Sequence, residues 1–170
     1  MDWLLIAFRL LHIVAAIVWV GGTVLFFFYI EPTINKLGPD AEKFVDEFIV
    51  RRKVPQYFAI ASTLTVVGGL GLYYRDAGGF QLWTSGAGPV FTIGAVAGIL
   101  AWIGGGVLIA PGVKKVAAIG AEIKAAGGPP SAELMGRMHA AQERLHTVGF
   151  WDLVLVAIAV VCMEAGRYTV

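Results

Sequence analysis

The chemistry this sequence can do rests on a few side chains: His12, His146 and Asp152 fall inside long apolar runs, Arg9 and Glu164 border them, and Met163 closes the last. If those runs cross a bilayer, an ionisable group inside one is costly and faces the protein interior, a pore or a cofactor. Counting from run centres near residues 20 and 154, His12 and His146 each sit ~12 Å from the midplane, on opposite sides. They are ~24 Å apart in depth, so one iron cannot take both. Met163 lies at about the depth of His12, and a histidine–methionine pair is an axial ligation of heme iron. Plainer roles stay open: His12 can make an interhelical hydrogen bond, and Met163 can be apolar filling. His139, Glu143 and His146 recur at helical spacing on one side of the last helix. Two imidazoles and a carboxylate can hold a divalent metal, and the same face can equally be a solvated helix end. Asp152, near the midplane, should be protonated, hydrogen-bonded or paired; it can relay protons or pin the bundle.

The elements that position these groups follow from composition. Of 170 residues, 58% are hydrophobic and 15% charged, against roughly 25% charged in a soluble domain. A water-soluble fold of this size cannot hide so much apolar surface. The net charge of +1 leaves no basic stripe for nucleic acid. Cys162 is the single cysteine, which excludes an internal disulfide and a thiolate cluster. The apolar run from Trp3 is too long for a signal-peptide core and follows Asp2 rather than a basic segment, so it is expected to stay as a helix.

A bilayer crossing takes about 20 apolar residues, and four stretches qualify: 10–30, 54–74, 88–110 and 145–163. Glu31-Pro32, Arg75-Asp76 and Pro111 mark the ends of the first three, and Tyr29, Tyr73, Tyr74, Trp83 and Tyr168 stand near such ends as interfacial aromatics do. The expected fold is an all-α integral membrane four-helix bundle of one domain, 1–170. Loop 31–53 holds Lys36, Lys43, Arg51, Arg52 and Lys53, and loop 111–144 holds Lys114, Lys115, Lys124, Arg137 and Arg144. The other side has only Arg75, Arg167 and Arg9 at the border, so positive charge places both loops in the cytoplasm and both termini outside. The expected location is a bacterial inner membrane.

Within loop 31–53, Phe44, Val45, Phe48 and Ile49 share one helical face, which predicts an interfacial amphipathic helix or an extension of the second span. Ser131 is a helix N-cap from which the fourth helix can run unbroken out of the cytoplasm. Lipid supplies no hydrophobic drive between helices, so close packing relies on small residues. Gly94 with Gly98, and Ala97, Ala101 and Gly105, recur at four-residue spacing in the third span; Gly68, Gly69 and Gly71 mark the second, and Ala15, Gly21 and Gly22 the first. Such notches tighten a bundle and can also make room for a flat cofactor.

The run Arg9-Leu10-Leu11-His12 through Trp19-Val20-Gly21-Gly22 resembles the first helix of a membrane superfamily that includes CopD-type copper-resistance proteins and HemJ-type protoporphyrinogen oxidases. These share Leu-His followed by Trp-x-Gly-Gly, and the likeness extends weakly through Arg51-Arg52 over about the first half of the chain. The resemblance implies heme binding at His12. The chain departs from HemJ-type proteins in having no lysine in the third span and no polar motif opening the last helix, and it lacks the Met- and His-rich pattern of a copper conduit. No nucleophile elbow, phosphate loop or carboxylate pair across a cleft is present. The expected function is therefore that of a small membrane protein binding heme b through His12, with Met163 as second ligand, in a redox or porphyrin-handling role. Two further readings are a non-catalytic accessory subunit of a larger respiratory or photosynthetic complex, and a metal-transport protein using His139, Glu143 and His146 or Asp152. Expected partners are the bilayer and membrane proteins or further copies of the chain, with no nucleic acid.

Overall fold

A computed structural model describes residues 2–79 and 84–168; Trp83 lies outside them. The described residues are helical, without strands. Four helices are long and apolar enough to cross a membrane: α1 (Trp3–Leu37), α2 (Val54–Asp76), α3 (Gly88–Ala125) and α4 (Ala132–Tyr168). Asp2 caps α1 by accepting from the Leu5 amide, 3.1 Å, and its carboxylate also pairs with Arg75, fastening the start of α1 to the end of α2. Ser131 caps α4 as its position predicts, accepting from the Leu134 amide at 3.2 Å, and the α-helix then runs unbroken to Ala165.

Two helices run past the prolines expected to end them. α1 continues through Pro32 and α3 through Pro111. A proline inside a helix lacks one N–H and presses its ring on the carbonyl four residues back. Each helix answers with a widened π turn just before the proline, Phe26–Ile30 and Gly105–Ile109. There the amides of Glu31 and Ala110 reach back five residues, to Phe26 and Gly105. The extra residue in the turn shifts the carbonyl out of the ring's way.

Residues 38–51 form a chain of short helical turns, ending in a third π turn at Asp46–Arg51. Phe44 stacks on Phe48, with centroids 5.3 Å apart. Lys53 then takes a left-handed backbone, φ 52°, which breaks this segment from α2 and excludes a continuous extension of the second helix. Its Glu42 accepts from Lys124 at the far end of α3, 2.6 Å. That hydrogen bond, with the carboxylate's charge, raises the Lys124 pKa. A raised lysine pKa means the tie is intact below the ordinary lysine value and is lost only as pH climbs through the raised one. Beside it, α3 and α4 continue as a hairpin held by Arg137 on both Glu122 oxygens, with Ile119 buried between them.

Alanine and glycine dominate the helix contacts, with Trp19 the one large aromatic in the centre, while many large apolar residues face outward. Trp19, Ala61, Ala101 and Val156, one from each long helix, form the central buried cluster. Seven residues further along each helix, toward the chain ends, stand His12, Gly68, Gly94 and Met163. A Cβ on Gly68 would meet the His12 backbone at 2.8 Å, and one on Gly94 would meet the Met163 methyl at 3.2 Å. The bundle is thus two tight pairs, α1 with α2 and α3 with α4, joined through the central layer. Meanwhile Ile17, Val107 and Val161 point outward, each about two-thirds exposed. Not every glycine is a contact: Gly21 and Gly105 have no neighbour within 4 Å of a Cβ.

Candidate functional site

Phe8, His12, Ala15 and Trp19 recur every three or four residues along α1, a spacing that lines them up on one face. That face meets a stripe of small residues on α2: Ala61, Thr65, Gly68, Gly69 and Gly71. Gly68 admits the His12 backbone, Gly69 admits its ring, and Gly71 admits the Phe8 ring. A Cβ at Gly69 would lie 2.9 Å from His12 Cε1 and 3.0 Å from Nδ1, so the imidazole rests on bare backbone.

The one hydrogen bond of that ring fixes its chemistry. His12 Nδ1 stands 2.7 Å from the Thr65 carbonyl oxygen. A carbonyl only accepts, so Nδ1 carries the hydrogen and, in the neutral ring, Nε2 carries the lone pair. Nε2 has no hydrogen-bond partner among the described residues. A backbone carbonyl holding Nδ1–H while Nε2 is presented free is the arrangement that metal-ligating histidines use. That imidazole could ligate a metal ion such as a heme iron through Nε2. Met163 stands at the level of His12 but on the other helix pair, with its methyl group against Gly94 of α3. His12 and Met163 face the same layer from separate pairs. A groove of about 490 Å³ is lined by Leu4, Phe8, Leu70, Gly71, Tyr74 and Arg75 and does not include His12.

The other singled-out residues do not gather into one site. His146 Nδ1 lies 3.0 Å from Glu31 Oε1, and its ring stacks on Phe27, centroids 5.0 Å apart and 18° from parallel. His139 and Glu143 are exposed, and Glu143 contributes its backbone carbonyl to Thr147. Among the described residues no three His, Cys, Asp or Glu side chains stand close enough to share a metal. Asp152 is buried, with Oδ1 at 3.6 Å from where a Gly104 Cβ would be. Arg9 is exposed, and Glu164 pairs loosely with Arg167 at 3.9 Å.

Sequence reasoning missed the seat of His12 and the partners of His146. The seat is a carbonyl oxygen and two hydrogens in place of side chains; only the pair Gly68-Gly69 hints at it. Glu31 does carry a signal: it is an acid at the same end of the bundle as His146. Comparison with protein-family models, with curated proteins and with solved structures returns no match.

Proposed function

We propose that the chain is an integral membrane four-helix bundle of a bacterial inner membrane, with both termini outside, and that His12 ligates the iron of a b-type heme in a redox or porphyrin-handling role. The observation that carries this is the tautomer of His12: Nδ1–H is held by the Thr65 carbonyl and the Nε2 lone pair is unpartnered. In an apolar layer an unpartnered nitrogen is costly, and an iron ion removes that cost. Met163 is the residue that would supply a second ligand. Bound heme supplies one-electron transfer at its iron, at a potential set by the axial ligands and their surroundings. The chain's own contribution is to hold Nδ1–H on the Thr65 carbonyl and fix the ring against Gly69, which leaves Nε2 open to a ligand. An absorption spectrum of the detergent-purified protein from heme-replete cells tests the reading. It should show a Soret band that sharpens and shifts on reduction with dithionite; a colourless protein would overturn it.

Large outward apolar residues around a core of alanine and glycine support the membrane setting, because packing without a hydrophobic drive selects small residues at helix contacts. The lysines and arginines cluster at the end where α1 joins α2 and α3 joins α4, which supports the orientation. Tags at either terminus should therefore be cut by protease added to spheroplasts, and tags in 31–53 or 111–144 should be protected. The reverse pattern would invert the topology.

An outward polar pair favours an accessory-subunit role as second reading. Trp102 Nε1 donates to Thr63 Oγ1, 3.0 Å, on the exposed face of α2 and α3, beside a shallow groove of about 320 Å³ lined by Ala59, Ile60, Thr63 and Leu64. On that reading, gentle solubilisation should yield the chain in a defined larger complex, and recovery as a lone stable bundle would tell against it.

A further inference from the structure

Asp152 is 8% exposed, in the middle of the bundle, and has no hydrogen-bond or ion-pair partner among the described residues. We propose that it is a proton-binding site: Asp152 is held as the neutral acid inside the membrane and exchanges its proton with water at the end that carries Glu31 and His146.

Every element packed around it withholds a counter-charge. α3 has no Asp, Glu, Lys, Arg or His from Gly88 to Gly112, and α2 has none from Val54 to Leu72. On α1 the interval between His12 and Glu31 is equally free of charge, and His12 stands seven residues beyond the central layer, on its far side. On α4 the nearest ionisable neighbours are His146 on one side and Cys162, followed by Glu164, on the other.

The register of α1 against α4 shows what lies at its level. Gly149 lies against the Phe27 ring, 3.8 Å from its would-be Cβ, and Val156 shares the central cluster with Trp19. Between these fixed points the antiparallel register places Thr23 at about the level of Asp152, with no hydrogen bond between the two. The Thr23 hydroxyl already donates to the Trp19 carbonyl, 2.9 Å, so it has only lone pairs left to offer. A carboxylate, which can only accept, gains nothing from that oxygen; a carboxylic acid can donate to it. An ionised carboxylate in this place would be an uncompensated charge in an apolar interior, whereas the acid is merely polar.

Access is one-sided. His146 is six residues away along α4, ~9 Å, while the terminal end of the helix at Met163 is eleven residues away, ~16 Å, beyond the layer of Trp19, Ala61, Ala101 and Val156. The nearer side is also where both long helices widen into π turns: Gly104, beside Asp152, directly precedes the turn at Gly105–Ile109, and Phe27 lies in the turn at Phe26–Ile30. No bond is made or broken beyond the O–H of the carboxyl, and the proton comes from and returns to water. The proposal depends on neither His12 nor iron.

Infrared spectra of the whole protein, labelled with carboxyl-¹³C aspartate and reconstituted in vesicles of phosphatidylcholine and phosphatidylglycerol, test it. At neutral pH a protonated-carboxyl band should be present, lost in D152N and displaced but kept in D152E, with helical content checked by circular dichroism. Transfer to D₂O should shift the band. H146F, which keeps a ring against Phe27 without the titratable nitrogens, should slow that shift several-fold. H12A should leave band and shift as they are, which separates this result from the heme reading. Absence of a band that depends on Asp152, or a band that never shifts in D₂O, would overturn the proton site. An unchanged exchange rate in H146F would overturn the route.

Discussion

Replacing His12 by alanine should abolish the Soret absorption of the purified protein while leaving its helical content by circular dichroism unchanged. The two readouts separate because His12 does two jobs of unequal size. Its backbone packs on Gly68, and neighbouring Phe8, Ala15 and Trp19 hold α1 to α2 whether or not the ring is present. Nε2, by contrast, is an imidazole nitrogen left without a partner among the described residues, and no other histidine can replace it: His146 is at the opposite end, engaged with Glu31. If His12 holds the iron as proposed, nothing else at this level replaces it, so the loss should be near complete rather than graded. Met163→Leu should behave differently, keeping the heme with an altered reduced spectrum and a changed potential, since only the opposite ligand is exchanged. Full retention of heme in His12→Ala would defeat the assignment.

The second large effect should come from a methyl group. Gly68→Ala places a Cβ 2.8 Å from the His12 amide nitrogen and 3.0 Å from its Cα. Both are backbone atoms, so no rotamer can relieve the contact and α1 must move off α2. Overpacking of this kind costs about 1–3 kcal/mol. The helix-propensity gain of alanine over glycine, about 0.5–1 kcal/mol, offsets only part of that. The same shift lengthens the Nδ1 contact with Thr65, so the variant should melt lower in detergent and bind heme more weakly together. Gly21→Ala is the matched control: nothing lies within 4 Å of its Cβ, so only the propensity gain applies and the melting midpoint should hold or rise. Equal melting of the two variants would sink the account of the Gly68 contact.

Much of this architecture was legible in the residues. Apolar length marks four long helices, Ser131 marks the start of the fourth, and Gly94 and Gly98 mark the face of α3 that meets α4. The far ends of α1 and α3 were not, because Pro32 and Pro111 announce a stop that a π turn can circumvent, and the hydrogen-bond shift belongs to the backbone; the end of α2 at Arg75-Asp76 was. Of the candidate site, His12 stood out as an imidazole in an apolar run, but its tautomer depends on a carbonyl 53 positions away that any residue would carry. His146 was read with its sequence neighbours His139 and Glu143, since helical spacing is visible locally. Its contact is Glu31, 115 positions away, and only the fold brings the two together.

The layers of this bundle recur every seven residues, from Trp19 to His12, Ala61 to Gly68, Ala101 to Gly94 and Val156 to Met163. An ideal straight helix completes two turns in 7.2 residues, so a seven-residue step keeps both layers on nearly the same face of each helix. The imidazole and its seat are therefore locked in phase. One residue inserted between Ala61 and Gly68 would swing the glycine pair through about 100°, carrying the seat to the outside of α2 while every side chain of the site remained in the sequence.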